Sequence, residues 1–142
     1  MSAITRPAVF DVNAFLRADE TLKTIAGKRM NYYPIIGDGD DNGPFVVYYY
    51  NPTIPSVESY WNRYDVIDYV IFDNNIERMY KLGEQIIYLL GRGDATSEPG
   101  GIEGQDTRIF STYLIDTSVE AAEEKDGWFK MNLSFAIYYV AK

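Results

Sequence analysis

The fold of this chain is decided by residues 60–91, YWNRYDVIDYVIFDNNIERMYKLGEQIIYLLG. From about Tyr60 to Asp73 the stretch is rich in Tyr, Val and Ile, and apolar side chains fall on both alternating faces, which is typical of a strand covered on both sides. Asn74 and Glu77 then form an approximate capping box, and apolar residues continue at helical spacing. We therefore predict a long strand followed by a capped helix. The helical residues expected to face the core are Ile76, Met79, Tyr80, Gly83, Ile86, Ile87 and Leu90, with Gly91 after the last turn.

The final strand, from Trp128 to Val140, has a clear period of two. Large apolar residues at the odd positions 129–139 alternate with Lys130, Asn132, Ser134 and Ala136, so one face is apolar and the other is mostly polar. This pattern and the helical stripe are the two strongest one-sided patterns in the chain. We expect the strand to pack against that helix through Phe129, Leu133, Phe135 and Ile137.

The rest of the chain supplies a helix and three further strands. The helix runs from Asp11, which is placed to cap it, to Gly27, and Asp19 favours a restart after a bend near Ala18. The first strand contains a proline, which cannot donate to a ladder, so we place it at a sheet edge. The three predicted strands are Arg29 to Ile36, Phe45 to Tyr50, and Thr107 to Thr117.

Together these elements define an α+β protein. We predict a mostly antiparallel sheet of about five strands with two main helices, in the order α-β-β-β-α-β-β. We expect residues 1–142 to form a single domain, because hydrophobic residues make up 46% of the chain, which is enough for one core but not for two.

The connection from Arg92 to Asp106 is rich in glycine and poor in apolar residues. Ordering such a segment costs conformational entropy that its small apolar content cannot offset. We predict that it is mobile in the free subunit and becomes ordered only against a partner.

Composition argues against enzymatic chemistry. The chain has no Cys and no His, which removes disulfides, thiolate metal sites and the usual base at neutral pH, so no cofactor is expected. Asp65 and Asp68 fall on opposite faces of a strand and cannot converge on a substrate, and Glu123 and Glu124 belong to a hydrated turn. We therefore expect a protein that is not an enzyme.

The charge and hydropathy patterns limit the partners. The net charge is −8, from 13 Lys and Arg against 21 Asp and Glu, whereas a broad phosphate-binding surface needs clustered basic residues. No segment reaches the roughly 18 apolar residues that a membrane helix needs. We expect synthesis and residence in the cytoplasm, with no membrane partner.

An acidic segment, Asp38 to Gly43, matches the opening of a calcium-binding loop. Oxygen ligands would occupy its first, third and fifth positions, but the twelfth, which should be a bidentate Glu, is Tyr49, and the seventh is Pro44. The favoured interpretation is a solvated turn between strands, and no metal site is assigned. A weak cation site in a small calcium-binding interaction module is the alternative.

Tyrosine is the most abundant aromatic residue, with 13 copies. Tyr offers a large rigid contact area with a polar tip and is enriched at protein interfaces. Consecutive Tyr residues must point to both faces of a sheet, so some of them are expected at an interface, although Tyr also serves as ordinary strand filler. The candidates for an oligomer or tube interface are Tyr48, Tyr49, Tyr50 and Tyr138.

The sequence resembles the tail-terminator, or tail-completion, proteins of long-tailed bacteriophages over nearly its whole length. The resemblance lies in the order helix, strands, helix, strands. The matching features are the first helix with Ala18 to Met30 (ADETLKTIAGKRM), the segment Gly43 to Tyr48 (GPFVVY), the long strand up to the helix at Asn75, and the Phe-rich final strand.

The resemblance implies a structural virion protein that forms a ring, usually a homohexamer. The ring would sit on the last ring of the tail tube, end its polymerisation and join it to the head-completion or neck protein, in the tail-neck region of a virion assembled in the host cytoplasm. DNA would pass through the lumen without specific binding, and an acidic chain is compatible with such a conduit. A head-tail connector or neck protein is the alternative within the same assembly.

Overall fold

One sheet, covered by helices on one face, organises the chain. The computed structural model describes residues 8–26, 32–33, 44–52, 63–91, 93–94, 102–121 and 127–141. The sheet has the strand order β1-β2-β3-β7-β6-β4, and β5 also pairs with β6. This confirms the predicted α+β fold. The elements are α1 (Val9–Arg17), α2 (Glu20–Ala26), β1 (Tyr32–Tyr33), β2 (Phe45–Pro52), β3 (Arg63–Asp73), α3 (Ile76–Leu90), β4 (Gly93–Asp94), β5 (Ile102–Glu103), β6 (Thr107–Ala121) and β7 (Phe129–Ala141).

The strand pairing is antiparallel except at one edge. β2, β3, β7 and β6 are the long strands and pair antiparallel in that order. β1 pairs parallel with β2 and lies at the edge, the position expected for the predicted strand Arg29 to Ile36, of which only Tyr32 and Tyr33 are described. β6 continues to Ala121, four residues beyond the predicted end at Thr117, so the turn before β7 is shorter than expected.

Helix α3 begins at Ile76, one residue later than a cap at Asn74 would place it. The capping residue is Asn75, not Asn74, because the Asn75 side chain accepts a hydrogen bond from the Arg78 backbone N–H at 3.1 Å. The turn is fixed by the Asp73 carboxylate, which accepts from the Asn75 backbone N–H at 3.0 Å. Asp73 is fully buried and also binds the Arg78 guanidinium, with Nη2 to Oδ1 at 2.5 Å. This hydrogen bond raises the pKa of Arg78 above its ordinary value.

The core stripe of α3 differs in part from the predicted one. Ile76 and Tyr80 were expected to face the core, but their exposed fractions are 43% and 44%. The stripe that the sheet covers is offset around the helix and includes Leu82 and Leu89. Gly83 permits a close approach to β7, since a Cβ at this position would overlap the Met131 sulfur. The buried residues of the helix are Met79, Leu82, Gly83, Ile86, Leu89 and Leu90.

The apolar face of β7 packs against α3, as predicted. Leu133, Phe135 and Ile137 are fully buried in the same cluster as α3, and Phe129 packs against it while partly exposed. Period two in the sequence was therefore sufficient to assign this face.

The N-terminal helix is broken where the sequence predicted a bend. α1 ends at Arg17, and the Asp19 carboxylate caps α2 by accepting from the Leu22 backbone N–H at 2.9 Å. Asp11, however, does not cap the first helix. That helix begins at Val9, and Asp11 lies inside it, buried and directed at another part of the chain.

A second, smaller apolar cluster covers one end of the opposite face of the sheet. Val47, Val70 and Phe72 are buried there beneath Trp128. The Trp128 ring stacks on Phe45 with centroids 5.6 Å apart. This explains why β3 is apolar on both faces at this end, although none of the described helices covers the second face here.

Candidate functional site

The sheet has an inner face, which the helices cover, and an outer face away from them, and the four candidate tyrosines divide between the two. Tyr48 and Tyr50 are partly buried against the main core on the inner face. Tyr49 lies on the outer face opposite Asp68, with an exposed fraction of 42%. Tyr138 is also on the outer face. The structure thus brings only Tyr49 and Tyr138 to the same surface.

Tyr50 is held inside the chain by a buried acid. Its hydroxyl donates to the Asp65 Oδ2 at 2.6 Å, and Asp65 is fully buried. The pKa of Tyr50 is raised far above its ordinary value, mainly by burial and next by the hydrogen bond to Asp65. The Tyr50 side chain therefore has a structural role in satisfying this carboxylate.

Three aromatic side chains gather on the outer face where β6 meets β7. The Tyr138 ring contacts Tyr113 edge-on, with centroids 5.8 Å apart, and Phe110 at 6.4 Å. Phe110 and Tyr113 expose 39% and 45% of their surface. Exposed aromatic residues in a group, such as Phe110 and Tyr113 around the partly buried Tyr138, are typical of a surface that binds protein.

Sequence reasoning missed Tyr113 because a β-bulge lies between Ile109 and Ser111. In a regular strand Tyr113 would share the face of Ile109, which is in the core. The register instead shifts between Ile109 and Ser111, so Ile109 pairs with Tyr139 on the inner face and Tyr113 with Ala136 on the outer face. A bulge adds one unpaired residue and reverses the alternation. No turn residue in the sequence marks this position.

A polar strip runs across the outer face beside Tyr49. Asp68 accepts a short hydrogen bond from the Ser134 hydroxyl and a weaker one, at 3.4 Å, from the Asn51 side chain. Asp65, three residues earlier, points to the inner face, which confirms that these two acids cannot converge. The outer face therefore combines exposed aromatic rings with satisfied polar groups, as interfaces between subunits do.

Asp11 ties the end of the glycine-rich connection to the first helix. Its carboxylate accepts from the backbone N–H groups of Gln105, Asp106 and Thr107 at 3.1, 3.3 and 2.9 Å, and from the Thr107 hydroxyl at 2.6 Å. Gly104 is required here because a Cβ would overlap the Asp11 carboxylate. A groove of about 330 Å³ lies between α1 and this segment.

The prediction that residues 92–106 become ordered only against a partner is therefore wrong for 102–106. Ile102 is buried and pairs with Ile109, so the segment is held by the chain itself. The sequence did not show this because Asp11 and Thr107 lie 96 residues apart.

Several earlier predictions lie outside the described residues. These include the acidic segment Asp38 to Gly43 and the acidic pair Glu123 and Glu124. Within the described ranges, no group of three or more acidic side chains is arranged to hold a metal ion. In the same ranges, no helix has both the length and the hydropathy needed to cross a membrane.

The fold is also found in a chain of a solved virion structure. No known protein-family model and no curated protein sequence matches the chain. Among solved structures, the chain is similar to one from the "Virion of native gene transfer agent (GTA) particle", with a TM-score of 0.72 and 14% sequence identity. The similarity covers 100% of both chains. At this identity the comparison establishes a shared fold.

Proposed function

We propose that this protein is a structural subunit of a phage-like virion that closes into a ring, a homohexamer, on the end of the tail tube. The observation that carries the proposal is the similarity in fold, over the full length of both chains, to a chain of a gene transfer agent virion. The order of elements that resembles tail-terminator proteins points to the same class. The ring would end polymerisation of the tube protein and join the tube to the head-completion or neck protein.

The outer face of the sheet is the surface proposed for subunit or tube contacts. Tyr49 and Tyr138 lie on it, and Phe110 and Tyr113 extend the aromatic group around Tyr138. A closed ring must bury complementary surface on each subunit. Exposed aromatic rings on a rigid sheet provide such surface at a low cost in side-chain entropy.

The charge of the chain suits a ring through which DNA passes. A net charge of −8 disfavours binding to phosphate groups, so the lumen would let DNA through without holding it. The corresponding location is the tail-neck region of the virion, after assembly in the host cytoplasm.

Light scattering coupled to size-exclusion chromatography tests the ring. The wild-type protein is expected to elute as a hexamer, whereas Tyr49→Asp and Tyr138→Asp are expected to elute as folded monomers that no longer cap tubes in electron micrographs. Tyr80→Asp is the matched control, because Tyr80 on α3 is exposed to nearly the same extent, 44% against 42% for Tyr49. A wild-type monomer that leaves the tail tube uncapped would refute the proposed function.

The micrographs also identify the partner. A terminator ring binds the ends of purified tail tubes, whereas a head-tail connector binds DNA-filled heads that lack tails. Binding to heads alone would replace the terminator role with the connector role.

A further inference from the structure

Over the residues that the structure describes, both edges of the sheet are only partly paired. β1 covers β2 only at Val46 and Val47, and β5 and β4 cover β6 only between Arg108 and Thr112. In the part of the chain that the structure describes, no strand pairs with 48–52 of β2 on the side away from β3. The same holds for 113–121 of β6 on the side away from β7.

Within the described residues, neither of these edge segments carries a Lys, although β2 ends at a proline, Pro52, and β6 has a bulge before Asp116. Natural proteins protect open edges with Lys side chains, inward-pointing charges or coverage by a loop. The open part of β2, YYYNP, has no charged residue. The last five residues of β6, TSVEA, have one, Glu120, and its carboxylate is neutralised by Lys130 at 3.5 Å. The two edges can therefore approach each other without charge repulsion, even though the chain is acidic.

The directions of the two edge strands are also complementary. β2, β3, β7 and β6 alternate in direction, so β2 and β6 of one subunit run opposite to each other. When copies are arranged around an axis, β6 of one copy therefore meets β2 of the next copy antiparallel. Such a contact joins two different surfaces and generates a closed ring when the rotation is that of a cyclic assembly.

We propose that the open edge of β2 in one subunit adds to the open edge of β6 in the next, with Tyr48–Pro52 paired against Thr117–Ala121. This proposal rests on the proposed ring and specifies how its subunits join. Tyr48 would pair with Ala121, Tyr50 with Val119, and Pro52 with Thr117.

The register follows from sterics and from the faces of the two strands. With Tyr48 opposite Ala121, β1 of one subunit lies beyond the last residue of β6 of the other, so two strands do not compete for one position. Tyr48 and Tyr50 belong to the inner face, as do Ala121 and Val119, which pair with Phe129 and Met131 of β7. The pairing keeps each face continuous.

The proposed pairing also accounts for an exposed apolar residue. Val119 is 39% exposed although it lies on the inner face. In the ring it would pack beside Tyr50 of the neighbour. Five paired residues are too few for a stable interface of about 1,200–2,000 Å². Tyr49 and the outer-face aromatic residues are expected to supply the remaining area.

Introduced cysteines test the register directly, because the chain has no native Cys. Tyr49→Cys combined with Glu120→Cys places both thiols on the outer face, opposite each other across the proposed contact. Within one subunit these strands are three spacings apart, about 14 Å, and a disulfide requires Cα atoms within about 7 Å. Any disulfide therefore joins two subunits. We expect oxidation to give covalent multimers up to the size of the ring on a non-reducing gel.

The control pair is Tyr49→Cys with Asp116→Cys, which lies four residues away along β6 on the same face and should not cross-link. Cross-linking of this pair in place of the first would overturn the register. If the wild-type protein forms the ring but neither cysteine pair cross-links, the proposed edge pairing is wrong and the proposed ring is not contradicted. A wild-type protein that is monomeric and leaves the tail tube uncapped would instead refute the proposed function.

A second test uses the usual protection of edge strands. Val119→Lys introduces a charge at the proposed contact, whereas Val119→Thr keeps the size and the preference for strands. We expect the Lys variant to lose the ring and to keep its thermal melt, and the Thr variant to keep both. Retention of the ring by the Lys variant would contradict the proposed pairing.

Discussion

Replacement of Asp11 by alanine should destabilise the whole chain, because its carboxylate joins α1 to the start of β6. Two of the groups it accepts from, the Thr107 backbone N–H and the Thr107 hydroxyl, are in a fully buried residue. A buried donor left without an acceptor costs about 1–3 kcal/mol, so two of them cost about 2–6 kcal/mol. For a domain of this size each kcal/mol lowers Tm by roughly 3–4 °C, which predicts a decrease of roughly 6–24 °C.

The assay is a thermal melt followed by circular dichroism, combined with limited proteolysis. Asp11→Ala should also accelerate cleavage near Gly104, since the backbone there loses its acceptor. Gly104→Ala should act in the same direction because the added Cβ displaces the carboxylate. Gln105→Ala is the control, since only the Gln105 backbone binds Asp11 and its side chain is exposed. An Asp11→Ala variant that melts within about 2 °C of wild type, with unchanged cleavage, would refute this account of the contact.

Four further predictions follow from the same structure. Leu133→Ala should cost about 2–5 kcal/mol in the free energy of unfolding, measured by urea denaturation, because it leaves a cavity beneath α3. Asn75→Ala should cost about 0.5–2 kcal/mol, and Asn74→Ala should be nearly neutral in the same assay, since only Asn75 caps the helix. Because the pKa of Tyr50 is raised in the folded state, its contribution to stability is fully present below the ordinary tyrosine pKa of about 10 and is lost as the pH rises above that value. Tyr50→Phe should therefore lose less stability at alkaline pH than wild type. A chelator should leave the melt and the ring unchanged, because the acidic segment 38–43 lacks a twelfth-position carboxylate, and a shift of the melt on removal of calcium would support the module alternative.

The sequence predicted those parts of the fold whose information is local. The period of two in β7 and the helical period of α3 depend on residues a few positions apart, and both elements were correctly assigned. The cap of α3 was misplaced by one residue because two adjacent asparagines both satisfy the local rule. The choice between them depends on Asp73, which binds the Asn75 backbone N–H.

Pairing between distant segments could not be predicted in the same way. The parallel pairing of β1 with β2, and the short strands β4 and β5 within the glycine-rich connection, are determined by where β2 and β6 already lie. Nothing in a two-residue strand distinguishes it from a loop in the sequence. The contact of Asp11 with Thr107 is likewise a property of the assembled fold.

The candidate interface was predicted in part. Alternation along β2 correctly implied that consecutive tyrosines face both sides of the sheet, and Tyr49 is the exposed one of the three. Tyr113, a neighbour of Tyr138, was missed because the bulge before Ser111 reverses the alternation that would otherwise place Tyr113 in the core. A bulge depends on the twist and closure of the sheet, so its position requires the structure.

The distribution of charge explains how an acidic chain could assemble with copies of itself. Asp11, Asp65 and Asp73 are buried and accept hydrogen bonds from groups of the same chain. Asp68, on the outer face, accepts from Ser134. These carboxylates are thus already satisfied and need no partner. In the proposed ring, the surfaces that meet are the neutral edge of β2 and an edge of β6 whose Glu120 is balanced by Lys130. Neither paired segment carries an unbalanced carboxylate, so these edges can meet without charge repulsion.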